Sequence, residues 1–325
     1  MRVYRSLEEV PADFGPAALT IGNFDGVHSG HRRILRRLKA LSNQRGWKAS
    51  VLTFDPHPLR VVAPARAPRL MTSPDLRIEL MRQEGVEQVL ILPFTPEVAR
   101  LSPEDFVRRV LVERLGARAV LVGENFRFGH RHAGNVRALA ALGRELGFET
   151  EIVPVSTCRG RKVSSSGVRE LIERGQVALA ARFLDRPYAL DGEVVSGRGV
   201  GSKQTVPTLN LETAAEVLPA RGVYLTRTRD PESGREWNSI TNIGFRPTFG
   251  ASEELTIETF LLDPLEDPAP RRIRLVFLEY LRDERRFADP EALKAQILKD
   301  VGVARRYFRR IAAWVHEPIH AAGPA

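Results

Sequence analysis

The sequence predicts a doubly wound parallel α/β sheet followed by an antiparallel β-barrel with a C-terminal helix. Through residue 186 apolar runs alternate with helical patterns, as in a parallel sheet whose crossovers are helices. Beyond Arg186 the alternation stops, and short extended runs follow one another between turns, the spacing of a barrel or a sandwich. Size agrees, since 325 residues exceed what one hydrophobic core usually serves. The division is set near Arg186, giving units 1–186 and 187–325.

In the first unit strands are expected over Ala17–Ile21, Ala49–Phe54, Val86–Leu92, Ala119–Val122 and Ile152–Val155. Behind the first of them Ile34, Leu35, Leu38 and Leu41 recur at helical spacing, with Arg32, Arg33, Arg36, Arg37 and Lys39 outside. Further helices are expected over Leu76–Glu84, over Pro103–Arg114 with Ser102 as N-cap, and over Val136–Leu146. An amphipathic helix over Gln176–Leu184 closes the unit. The second unit offers extended runs at Gly192–Ser196, Gly222–Thr228, Asn238–Ile243, Leu255–Leu262 and Ile273–Leu281. Helical spacing then returns through Ala292, Ile297, Val301, Tyr307, Phe308 and Ile311, a helix to lie across the barrel.

The turn after the first strand holds the densest chemistry. Gly22, Gly26 and Gly30 allow a ligand close to the backbone, and the turn delivers it to a helix N-terminus, whose free N–H groups favour an anion. His28 and His31, three apart, point at the same guest. The glycine spacing fits neither the dinucleotide fingerprint nor the Walker loop, and a histidine pair holding a metal lacks a third ligand nearby. What remains is a phosphate cradle with imidazole donors. Three other motifs also fall where strands run out: Phe54-Asp55-Pro56-His57-Pro58, the turn from Gly123 to Gly129, and the stretch from Lys162 to Arg169. Each alone could be a well-made loop, with Ser166 merely an N-cap. Together they favour one crevice at the carboxyl edge of the sheet.

These residues resemble a known pattern. The run from Gly22 to His31 is similar to the GxFDGxHxGH form of the nucleotidylyltransferase HxGH signature, as in the adenylyltransferase half of bacterial bifunctional riboflavin kinase/FAD synthetases. The later motifs resemble that family's TFDPHP, GxNFxFG and ISSTxIR signatures, in the family's order. The resemblance implies a Rossmann-like nucleotidylyltransferase fold in which Gly22, Phe24, Asp25, Gly26, His28 and His31 hold ATP. Asn125 would contact its adenosine, while Ser165, Ser166 and Arg169 cover the triphosphate with Lys162 in support. Phe54, Asp55, Pro56 and His57 would take the flavin. Ser166 stands where the signature has Thr, and Gly167 where it has an Arg.

In the second unit Gly197, Gly199, Gly201 and Lys203 form a basic glycine-rich loop fit for phosphate. Thr208 and Asn210 follow, two apart on one strand face, and can share a hard cation. Glu258 shares a face with Phe260 and Leu262, odd company for a carboxylate unless it has work or a salt-bridge partner. The unit resembles the riboflavin-kinase domain: Pro207-Thr208-Leu209-Asn210 is similar to PTAN, and Gly222-Val223-Tyr224 and the run from Asn242 to Phe249 match further signatures. Glu258 falls at the catalytic acid, and the LYG that usually follows is replaced by Pro264 to Pro270. By this resemblance the barrel makes FMN from riboflavin and ATP, the first unit joins AMP to FMN giving FAD and pyrophosphate, and both use Mg2+.

Composition bounds the remainder. The net charge of +9 suits phosphorylated substrates or nucleic acid, yet no nucleic-acid motif accompanies it. No apolar run opens the chain or is long enough to span a bilayer, so a cytoplasmic protein without a membrane or obligate protein partner is expected. The single cysteine, Cys158, excludes an internal disulfide. A polyphosphate- or RNA-binding protein, and an HxGH enzyme for another acceptor, are the rival readings.

Overall fold

The structure, a computed structural model, describes residues 1–195, 208–247, 253–265, 269–285 and 287–316. The chain divides into two compact units, Met1–Val168 with Phe183–Asp185, and Arg169–Arg182 with Arg186–Ala325.

The first unit is built on strands β1 (Arg2–Tyr4), β2 (Ala17–Ile21), β3 (Lys48–Asp55), β4 (Gln88–Pro93), β5 (Ala117–Gly123) and, beyond the short hairpin of β6 (Arg127–Phe128) and β7 (Gly134–Asn135), β8 (Glu149–Val153). They form one six-stranded sheet in the order β1-β4-β3-β2-β5-β8, with every pairing parallel. Side chains alternate between its faces. Leu19, Ile21, Leu52, Leu90, Val120 and Val122 join one core, and Ala18, Val51, Val89, Ile91 and Leu121 the other. Helices α1 (Ser29–Arg45) and α3 (Pro74–Gln83) cover the second face through Leu35, Leu38, Leu41, Ile78, Leu80 and Met81. Short α2 (Pro58–Val62), α4 (Pro96–Arg100) and α5 (Pro103–Asp105) lie in the connections. A helical segment Phe106–Arg114 and α6 (Val136–Leu146) cover the first face. Chain order reverses between β2 and β5, so the crevice of such a sheet opens above the carboxyl ends of those two strands.

Two details depart from the expected elements. The helix over 103–114 begins with Ser102 as its N-cap, accepting Asp105 N–H at 2.9 Å, but from Phe106 onward it is π-helical. Its buried residues, Phe106, Val107, Val110 and Leu111, come in pairs four apart, a spacing that a wider turn accommodates as well as an α-helix does. The last strand of the sheet runs over Glu149–Val153, about three residues earlier than its apolar run suggested. It lies at the sheet edge, where Glu149 and Glu151 are exposed enough to meet Arg45 and Arg37 of α1. A two-residue hairpin of β9 (Thr157–Cys158) and β10 (Arg161–Lys162) follows, then α7 (Ser165–Glu173) and α8 (Val177–Leu184).

The second unit is a closed antiparallel barrel, not a sandwich. Strands β11 (Tyr188–Val195), β12 (Thr208–Glu212), β13 (Gly222–Arg229), β14 (Glu236–Pro247), β15 (Glu253–Leu261) and β16 (Arg272–Arg282) close in the order β11-β12-β15-β14-β13-β16. Its interior holds Leu190, Tyr224, Ile243, Ile257, Leu275 and Phe277 beside a wholly buried group of hydroxyls, Thr226, Thr228, Ser239, Thr241 and Thr259. Helix α9 (Pro290–His316) packs Ala304 and Phe308 on the outer-face residues Val223, Leu225 and Ile240. Asp300 of α9 meets Arg282 of β16 at 2.8 Å. No helix among the described residues is long and apolar enough to cross a membrane.

Candidate active sites

The turn joining β2 to α1 is wound unusually tightly. Phe24 and Val27 hold φ of +50° and +38° and Gly26 a φ of +80°. For a β-branched residue such as Val27 this is a strained conformation, kept only where the surroundings over-determine it. The surroundings do so: Asp25 Oδ1 accepts the N–H groups of Met71 (2.9 Å) and Thr72 (3.1 Å) and the Thr72 hydroxyl, and Gly26 N–H donates to that hydroxyl at 3.1 Å. Asp25 thereby ties the turn to the segment before α3. A side chain at Gly26 would meet Met71 Cε at 2.7 Å.

The turn ends in the two histidines. His28 is the N-cap of α1, its Nδ1 accepting the His31 N–H at 3.3 Å. A neutral His28 therefore carries its proton on Nε2. The rings stack with centroids 3.7 Å apart and planes 11° from parallel, and Phe24 lies 4.9 Å from His31. Gly30 makes the stack possible, since a Cβ there would stand 3.1 Å from His28 Cε1. Burial first, then His28 and Arg77, hold the His31 imidazole well below its usual range, and its Nδ1 is buried with no hydrogen-bond partner. The result is a neutral His31 stacked on His28 at a helix N-terminus, a pair suited to donating toward a bound phosphate.

Apart from Arg169, the other residues predicted for this site fall at the same edge of the sheet. Phe54 and Asp55 end β3, and His57 is the N-cap of α2, its Nδ1 accepting Leu59 N–H at 3.2 Å. The carboxamide of Asn23 meets His57 Nε2 at 3.0 Å and joins this loop to the histidine turn. Asn125 is exposed in the turn after β5, next to the stacked rings of Phe126 and Phe128. Ser165 donates its hydroxyl to the Asp25 carbonyl at 2.9 Å, so it braces the turn. Ser164 takes the N-cap position for which Ser166 was considered, accepting Gly167 N–H at 3.2 Å, while Ser166 and Lys162 are exposed. Arg169 lies one turn further along α7, in the second unit. Pattern reading missed Asn23, Thr53, Thr72 and Arg77, whose partners lie at distant positions in the chain.

In the barrel, register gathers the residues predicted for the second site. Asn210 of β12 and Asn242 of β14 both pair with Glu258 of β15, one from each side. Neighbouring Ile257, Thr259 and Thr241 are buried, which places Asn210, Glu258 and Asn242 in one row on the outer face. Thr208, exposed, lies two residues before Asn210 on the same face. A hydroxyl, two carboxamides and one carboxylate are oxygen donors of the kind a hard divalent cation takes. No group of three or more His, Cys, Asp or Glu is gathered for a metal among the described residues. Gly197, Gly199, Gly201 and Lys203 lie outside the described residues, as do Pro207 and Thr248 to Phe249.

Comparison with known proteins bears on both sites. The FAD synthetase family model matches residues 10–167 and the riboflavin kinase model residues 184–308. A bifunctional riboflavin kinase/FMN adenylyltransferase of Pseudomonas fluorescens is 36% identical over 311 residues, covering 94% of this chain and 97% of the relative. The chain belongs to the bifunctional riboflavin kinase/FMN adenylyltransferase family. The family's protein from Escherichia coli (strain K12) is 34% identical over 312 residues, covering 95% of this chain and 97% of its own. Among solved structures, the crystal structure of the macrolide-efflux protein from Streptococcus pneumoniae has a TM-score of 0.82 at 24% identity, covering 93% of this chain and 98% of its own. That likeness is one of fold alone.

Proposed function

We propose that the chain carries out two successive steps of flavin cofactor synthesis, phosphorylating riboflavin to FMN with ATP and then adenylylating FMN to FAD with release of pyrophosphate. Family membership supports the pair of activities, and we set the functional boundary near Arg186. The stacked histidine pair carries the adenylyl-transfer assignment. ATP would lie with its phosphates over the N-terminus of α1, His28 offering its Nε2–H and His31 its remaining ring nitrogen as charge develops on the attacked phosphate. Gly22, Phe24 and Gly26 shape the cradle, Asn125 takes the adenosine, and Lys162 and Ser166 take the outgoing pyrophosphate. Phe54 to His57 receive the FMN.

In the barrel Glu258 orients the ribityl hydroxyl and accepts its proton as it attacks the γ-phosphate. Thr208 and Asn210 would hold Mg2+, which when bound neutralises phosphate charge. No step in either unit calls for a covalent enzyme intermediate. We place the reactions in the cytoplasm, where both would draw on ATP. The test is incubation with riboflavin, ATP and Mg2+ followed by chromatography of the flavins: FMN should appear first and FAD after it, with neither formed when ATP is omitted. Unchanged riboflavin would refute the assignment.

A further inference from the structure

Arg77 of α3 is 5% exposed and stands among Asp25, Asp55 and His31, although no pattern in the sequence distinguishes it from the chain's many surface arginines. Burial draws its guanidinium down from the usual range while the two carboxylates oppose that fall, so a cation is held beneath the turn. Its Nη1 donates to the Asn23 carbonyl at 3.0 Å, and the buried Thr53 hydroxyl donates to the same oxygen at 3.4 Å. Its Nε is buried with no hydrogen-bond partner. Burying an arginine is costly even beside two carboxylates, and the carbonyl that its Nη1 binds is the group it places most directly.

Asn23 is the residue through which placement spreads. Its peptide leads into Phe24 at φ +50°, and its carboxamide meets His57 Nε2. With His57 Nδ1 accepting Leu59 N–H, the other ring nitrogen, Nε2, lies 3.0 Å from the Asn23 carboxamide nitrogen. A chain of contacts therefore runs from α3 through the histidine turn to the Asp-Pro-His-Pro loop. We propose that Arg77 is a positioning residue for adenylyl transfer, fixing Asn23 so that the turn holding ATP and the loop holding FMN keep one alignment. This rests on the adenylyl-transfer reading of the first unit. Two substrates meeting in line are sensitive to sub-ångström misplacement, so the effect belongs in turnover more than in the binding of either partner.

The experiment is a double-mutant cycle on FAD formation from supplied FMN and ATP, using Arg77→Met, Asn23→Ala and the double variant of the full chain. Circular-dichroism melts of the same preparations report folding of the whole chain, and FMN formation from riboflavin reports that the second unit is intact. Each single change should lower kcat by about tenfold or more with both KM values within about threefold, and the double should lose no more than about threefold beyond the worse single. A merely structural arginine gives losses that multiply. Multiplied losses, or an Arg77→Met enzyme within twofold of wild type, overturn the proposal. If Arg77→Met does not fold, Arg77→Lys takes its place in the cycle. His31→Ala is measured alongside: full FAD synthesis there removes the reading of the unit itself, whereas an inactive His31→Ala beside a normal Arg77→Met removes the Arg77 proposal alone.

Discussion

At the scale of single residues, a glycine and two histidines shape the candidate site of the first unit. Gly30 leaves room for the His28 ring, His28 caps α1, and His31 is buried beside it with its imidazole held neutral. The neutrality has a thermodynamic signature. The unfolded chain takes a proton at this position below about pH 6.5, while the folded state resists it. More protons are then bound by the unfolded state, so stability is full above that pH and falls as pH drops toward the depressed folded value, by up to about 1.4 kcal/mol per pH unit. Urea midpoints measured between pH 7 and 5 should therefore fall less steeply in His31→Asn than in the wild type, and equal slopes would show that His31 is protonated in the fold. Much of this was legible in the sequence, because the chemistry lies in ten consecutive residues. Arg77 and Thr72 were not legible: each is a common residue whose partner is some 50 positions away, and only the packing of α3 against the turn brings them together.

At the scale of elements, periodicity found the strands and helices, and burial decided their details. The apolar spacing of 103–114 fits α and π turns alike, so sequence could not separate them. The barrel shows the opposite case, since its interior carries polar residues that a strand pattern would place outside. Thr226 Oγ1 lies 2.8 Å from Ser239 Oγ and 2.7 Å from Thr241 Oγ1, and Thr241 Oγ1 lies 2.9 Å from Thr259 Oγ1. Every hydroxyl in this group is satisfied by another, which makes removal of one expensive. Thr241→Val, nearly isosteric, should cost about 1–3 kcal/mol by urea unfolding while FMN formation at 25 °C persists. A stability equal to wild type would mean that the network contributes nothing.

At the scale of the whole molecule, the chain divides into two compact units, and the family's two domain models fall on residues 10–167 and 184–308 in the same order. The alternation of strands and helices and its end near Arg186 made the architecture legible. Barrel closure was not, because a sandwich and a barrel have the same strand spacing and differ in whether β16 pairs with both β11 and β13. The register that sets Asn210 and Asn242 beside Glu258 was hidden for the same reason. The division of labour is tested most directly by supplying riboflavin or FMN, with ATP and Mg2+, to His31→Ala and Glu258→Gln and following the flavins by single-turnover chromatography. His31→Ala should accumulate FMN with FAD formation slowed about a hundred- to a thousandfold. Glu258→Gln should bind riboflavin within a few-fold of wild type and make FMN about 10² to 10⁴ times more slowly, yet convert supplied FMN to FAD normally. Loss of both reactions in either variant, or of neither, would contradict the assignment of one reaction to each unit.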